Sequence, residues 1–258
     1  MLSHERVGEG EPLIAIMGMS GTRRAWGETF RAELARSFDC VFFDNRGMGD
    51  SPEAGMPFSV ADMAGDTIDL LDELGIERAH AFGVSMGGAI AQELALAHPE
   101  RVRTLTLGAT FCGGPEAQLM DPADLQMLGA AYATGEREPV YRAMWEINLS
   151  PGFRSDDSRF AAFKAMGDES RVPRAVVMQQ MRACAEHDAS ERLSGISAPT
   201  LVVHGTVDRL IKVENGLQVA AGIPTRIELL EDVGHIFWWE QPERSADLIR
   251  EHALTAAA

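Results

Sequence analysis

Short apolar runs alternate along this chain with longer stretches in which apolar positions recur every three or four residues. Four runs read as buried strands of a parallel sheet: Leu13–Met17, Cys40–Asp44, Ala79–Val84 and Leu201–His204. Each is short, mostly apolar and carries β-branched or aromatic residues, as a strand covered on both faces requires. Val102–Leu107 and Arg226–Leu230 are two more. Between them Trp26, Phe30 and Leu34 fall four apart, on one face of a helix. Val60, Met63, Ile68, Leu70, Leu71 and Leu74 form a second stripe, with Ser59 placed to cap its start and Gly75 to end it. Met86–Ala97 reads as a third helix, stopping before His98-Pro99. Strand and helix alternate, which predicts an α/β fold with a doubly wound, mostly parallel sheet flanked by helices.

The rhythm breaks between Gly113 and Gly195. That stretch is helical in pattern and rich in methionine and aromatic residues, Trp145 among them. It is expected to form a helical cap, residues 113–195, inserted into a core made of residues 1–112 and 196–258. Trp145 and its neighbouring methionines are expected to line an apolar substrate pocket.

Composition narrows the function classes. The chain has 258 residues, ordinary hydrophobic content (45%) and a net charge of −16. Such a charge disfavours nucleic acid and anionic membranes as partners. Cys40, Cys112 and Cys184 are too widely spaced for a zinc or redox motif and read as free thiols. No metal or organic cofactor is expected. The polar opening, Met1–Glu11, lacks a secretory-type apolar segment, and no run is long enough to span a membrane. The expected location is the cytoplasm; oligomeric state is left open.

The chemistry begins at Gly83-Val84-Ser85-Met86-Gly87-Gly88. A serine flanked two residues away on each side by glycine can stand on a tight strand-to-helix turn, exposed above the sheet edge. The predicted strand runs into this turn and the predicted helix leaves it. A serine hydroxyl needs a base. Of seven histidines, His235 alone follows the last strand in a loop, Val233-Gly234-His235, that leads into another helix. The base needs an acid to fix its tautomer, and Asp208 lies just beyond the strand Leu201–His204. Two backbone N–H groups should complete an oxyanion hole: Met86, next to the serine, and Met19, in the loop Met17-Gly18-Met19-Ser20-Gly21.

With these motifs, Asp44-Asn45-Arg46-Gly47-Met48-Gly49-Asp50-Ser51 and His98-Pro99-Glu100-Arg101-Val102, the sequence resembles the α/β-hydrolase superfamily over nearly its whole length. The chain order Ser85, Asp208, His235 is the one that superfamily uses. The resemblance implies that Arg46 and Ser51 are scaffold. It also implies that a serine at 85 favours acyl transfer over the chemistry of members with an aspartate nucleophile. Met17-Gly18 stands where many members have His-Gly, a form similar to that of some methylesterases and enol-lactonases. The expected activity is hydrolysis of a small-molecule carboxylic ester or lactone through an acyl-enzyme. Carbon–carbon bond hydrolysis or perhydrolysis with the same triad is the alternative, and a non-catalytic binding module is a third reading.

Overall fold

The computed structural model describes residues 1–52, 55–118 and 120–256. Seven strands form one sheet in the order β1-β3-β2-β4-β5-β6-β7. They are β1 (His4–Val7), β2 (Glu11–Ile16), β3 (Phe38–Phe43), β4 (Ala79–Val84), β5 (Val102–Gly108), β6 (Thr200–Gly205) and β7 (Thr225–Leu230). All neighbours pair in parallel except β1 with β3. The six expected strands are present within two residues at each end.

β1 was not anticipated. It is a four-residue edge strand without an apolar run, set by antiparallel pairing with β3 and by Arg6 bonding Asp39. Short, charged edge strands of this kind carry no hydrophobic signature to read.

Along β2 the side chains divide the core as a pleated strand must. Ile14 and Ile16 belong to one buried cluster, Leu13 and Ala15 to the other. The first face is covered by α2 (Val60–Glu73), α3 (Met86–Ala97) and α9 (Val213–Gly222); the second by α1 (Glu28–Ala35), the short α10 (Phe237–Glu240) and α11 (Pro242–Ala256). Trp26, Phe30 and Leu34 are buried together, and Trp26 stacks against Phe82 and Trp238. At α2, Ser59 and Asp62 exchange capping hydrogen bonds, and Gly75 (φ 67°) follows the last turn.

Five helices fill the segment between β5 and β6: α4 (Pro122–Ala133), α5 (Arg137–Asn148), α6 (Pro151–Arg154), α7 (Ser158–Asp168) and α8 (Arg174–Glu186). Trp145, Leu149, Phe160 and Phe163 give this insertion a small core of its own. At its base, the Ala189 N–H bonds the Cys112 carbonyl, and Gly113 bridges Asp188.

Candidate active site

The chain passes from β2 to β3 on one side and returns to β4 on the other, so the loops leaving β2 and β4 diverge at a topological switch point. In open α/β sheets the crevice at the carboxyl ends of such strands is where ligands bind. Ser85 ends β4 there, and Gly18–Gly21 leave β2 beside it.

Ser85 has φ 56° and ψ −126°, a conformation that costs a non-glycine residue about 1–3 kcal/mol. Its surroundings hold it in place. The Ser85 N–H bonds the Gly108 carbonyl at 2.9 Å, and Thr110 Oγ1 donates to the Ser85 carbonyl at 2.6 Å. The glycines around it are required by contact. A Cβ at Gly83 would overlap the Gly87 carbonyl, one at Gly87 the Ile16 carbonyl, and one at Gly88 the Thr110 side chain. A Cβ at Gly18 would stand 3.0 Å from Ser85 Cβ. Backbone is therefore packed on backbone around the serine, at the N-terminus of the buried helix α3, where negative charge is favoured.

The Asp208 side chain is fully enclosed and accepts from three donors, with the His204 imidazole close by. The N–H groups of Leu210 and Ile211 reach its Oδ1, each at 2.9 Å. His235 Nδ1 lies 2.7 Å from its Oδ2 and His204 Nε2 3.3 Å. His204 Nε2 also bonds the Ile211 carbonyl at 2.8 Å. A carbonyl only accepts, so this nitrogen carries the proton. Burial alone would raise the Asp208 carboxyl, but the two imidazoles hold it down at about 2. Asp208 is thus an anion that favours the Nδ1–H tautomer of His235, in which Nε2 is the acceptor nitrogen. Neither Ser85 Oγ nor His235 Nε2 makes a hydrogen bond among the described residues. Such contacts often close only with substrate present.

Among the described residues, two N–H groups of the loops leaving β2 and β4 find no acceptor. Met86 is the first residue of α3 and has no carbonyl four residues back to bond. Met19 N–H likewise finds no acceptor among the described residues, whereas the next N–H, of Ser20, is taken by Gln180 Oε1 at 3.0 Å. Asn45 Nδ2 anchors the same loop through the Met17 carbonyl at 2.9 Å.

Contacts to the insertion hold both loops that carry Asp208 and His235. Arg209, adjacent to Asp208, bonds Asp124 on α4 and Glu146 on α5. Glu240 Oε1 accepts the N–H of Gly234 at 2.9 Å and of Ser150 at 2.8 Å, while its other oxygen takes the Ser150 hydroxyl. The Ile236 N–H bonds the Asn148 carbonyl.

Trp145 is buried against Phe153, Phe160 and Phe163, in the insertion's own core. That core reaches the base loop through Ile236 and Trp239. Both Trp238 and Trp239 donate their indole N–H to the Ala25 carbonyl. The sequence alone does not single out Gln180, Arg209, Glu240 or His204. The one available signal was Gln180 itself, a polar residue between the apolar Val176 and Ala183 at helical spacing.

Burial pushes the thiols of Cys40 and Cys184 up to about 12 and that of Cys112 up to about 11, so all three stay protonated near neutral pH. Among the described residues no cluster of three or more His, Cys, Asp or Glu could hold a metal ion. No helix among them is long and apolar enough to cross a membrane.

A family model described as the alpha/beta hydrolase fold matches residues 11–242. The chain is 31% identical over 249 residues to BpoC of Mycobacterium tuberculosis, provisionally described as a non-heme bromoperoxidase, covering 94% of this chain and 93% of that one. BpoC's crystal structure superposes with a TM-score of 0.85 at 29% identity, over 100% of this chain and 97% of its own. The 2-hydroxy-6-oxo-6-phenylhexa-2,4-dienoate hydrolase of Comamonas testosteroni is 27% identical over 256 residues, 94% of this chain and 87% of its own. A thermophilic esterase from Thermogutta terrifontis has a TM-score of 0.82 at 27% identity, over 100% of this chain and 94% of its own.

Proposed function

The chain belongs to the α/β-hydrolase family, and on that premise we propose that it is a serine hydrolase of carboxylic esters or lactones, working through an acyl-enzyme on Ser85. The observation that carries this reading is the enclosed Asp208–His235 pair, 2.7 Å apart, at the same sheet edge as a serine in a strained elbow conformation. Ser85 Oγ attacks the acyl carbon while His235 Nε2 takes its proton. The carbonyl oxygen, now an anion, is received by the N–H groups of Met19 and Met86. His235 then protonates the departing oxygen. A water molecule, deprotonated by the same nitrogen, releases the acid and regenerates the serine. Asp208 remains ionised throughout and stabilises the imidazolium.

In this reading the insertion is a cap, residues 113–195, and its aromatic core around Trp145 supports the apolar wall of the pocket. The ester or lactone reading is favoured over cleavage of a dienoate, the substrate type in the name of the Comamonas relative. A dienoate carries a carboxylate. Among the described residues the one buried arginine or lysine is Arg23, and Asp44, Glu5 and Asp50 already surround it.

The test is turnover of short p-nitrophenyl esters by the wild type and by Ser85→Ala. Loss of an intact triad member should lower kcat by about a millionfold. Undiminished turnover in Ser85→Ala would overturn the assignment.

A further inference from the structure

Gln180 lies on α8 with zero exposure, in an otherwise apolar stripe between Val176 and Ala183. Those two neighbours pack into the main core cluster, against which Met19 also rests. A polar side chain at such a position is costly unless its hydrogen bonds are met. Half of them are. Gln180 Oε1 accepts the Ser20 N–H at 3.0 Å. Because that partner is a donor, the orientation of the amide is fixed: oxygen towards Ser20, nitrogen on the other side. The nitrogen, Nε2, is buried and has no partner among the described residues. The residue thus reaches from the insertion onto the loop carrying Met19 and holds two N–H donors with nothing to receive them.

We infer that Gln180 is a specificity-determining residue whose free amide donates a hydrogen bond to an uncharged acceptor atom of the substrate, beside the scissile carbonyl. The inference rests on the serine-hydrolase reading and adds a substrate class to it: esters or lactones bearing an ether, hydroxyl or keto oxygen near the bond that is cut. An uncharged acceptor fits because the amide is neutral and, among the described residues, no buried cation stands free to balance a carboxylate. The Oε1 bond also ties α8 to the loop, so a second, purely supporting role must be separated from the donor role.

Two substitutions do this. Gln180→Glu keeps an oxygen for the Ser20 N–H but, assayed at pH 9 with the new carboxyl ionised, removes the donor. Gln180→Met removes both. Two nearly isosteric substrate pairs supply the readout: p-nitrophenyl methoxyacetate with p-nitrophenyl butyrate, and 2-methoxyethyl acetate with butyl acetate. Each ratio of kcat/KM is normalised to the rates of alkaline hydrolysis. The expected result is that both variants lower the ether-to-alkyl ratio about tenfold in at least one pair, the loss of one neutral hydrogen bond. Unchanged ratios in both pairs would overturn the inference. So would a Gln180→Met variant that slows all four esters alike while Gln180→Glu slows none, since Gln180 would then only position the loop. If Gln180→Met does not fold, Gln180→Glu alone decides. Wild type with no Ser85-dependent turnover of any of the four would remove the hydrolase reading itself, a different failure from unchanged ratios.

Discussion

The two sides of the candidate site are built from different materials. Around Ser85, main chain meets main chain: Gly83 against Gly87, Gly87 against Ile16, Gly18 against the serine. Around Asp208 and His235, charged side chains tie the loops to the helical insertion, through Arg209 to Asp124 and through Glu240 to Gly234 and Ser150. The first side has no slack, because a glycine pressed on a carbonyl admits no larger residue. The second is adjustable, because a clamp can loosen without unfolding the sheet. Ser85, the nucleophile proposed above, is set where backbone packs on backbone, and its proposed partners are held by contacts to the helical insertion.

The sharpest way to test this contrast is Gly87→Ala. The added methyl group would overlap the Ile16 carbonyl, and stability should fall by about 4 kcal/mol or more, taking activity with it. Chemical denaturation reads the loss; a near-native midpoint would mean the elbow has room to give. Asp208→Asn should behave in the opposite way. The fold should survive while kcat drops by about ten-thousandfold, because the amide favours the wrong tautomer of His235.

Glu240→Ala falls between the two. Freed from Gly234 and Ser150, the base loop should cost about tenfold in kcat, with a melting temperature lowered by a few degrees at most. Glu240→Gln retains an oxygen in the Oε1 position and should recover most of the activity. A Glu240→Ala variant as unstable as Gly87→Ala would erase the distinction between the two sides.

A fourth effect lies outside the candidate site and concerns pH. Glu93 sits beneath the insertion's base, bonded to Arg192 at 2.9 Å and 3.3 Å from His187. Burial would raise its carboxyl, but hydrogen bonds from Arg192 and His187 outweigh this and hold it at about 2. The folded value lies below the ordinary carboxylate range. Its contribution is therefore complete above that range and is lost as pH falls towards about 2. Glu93→Gln should remove about 2 kcal/mol at neutral pH and flatten the stability profile between pH 5 and 2, measured by urea unfolding.

Much of this was present in the order of residues. Ala79–Val84 and Met86–Ala97 were read with the bounds they have in the fold, and the elbow between them follows from glycines whose demands are local. A positive φ at Ser85 and a crowded backbone at Gly83 and Gly87 concern residues a few positions apart, and sequence spacing expresses such demands directly. Strands β2 to β6 were legible for a related reason, since burial on both faces forces an apolar run, whereas the half-exposed edge strand β7 showed itself only by Ile227, Leu229 and Leu230. β1 was not legible, because one edge strand of four residues needs no such run.

What tertiary structure alone decided is which distant side chains meet. Gln180 and Ser20 are 160 residues apart, Ser150 and Glu240 are 90 apart, and Arg209 and Asp124 are 85 apart. No period or motif encodes these pairs. Their energies depend on burial and on a partner within hydrogen-bond reach, and both exist only once the helical insertion has packed onto the sheet. The sequence determined the serine, its turn and the order of its partners. The packing decided how Asp208 and His235 are held, and left the Gln180 amide nitrogen without a partner among the described residues.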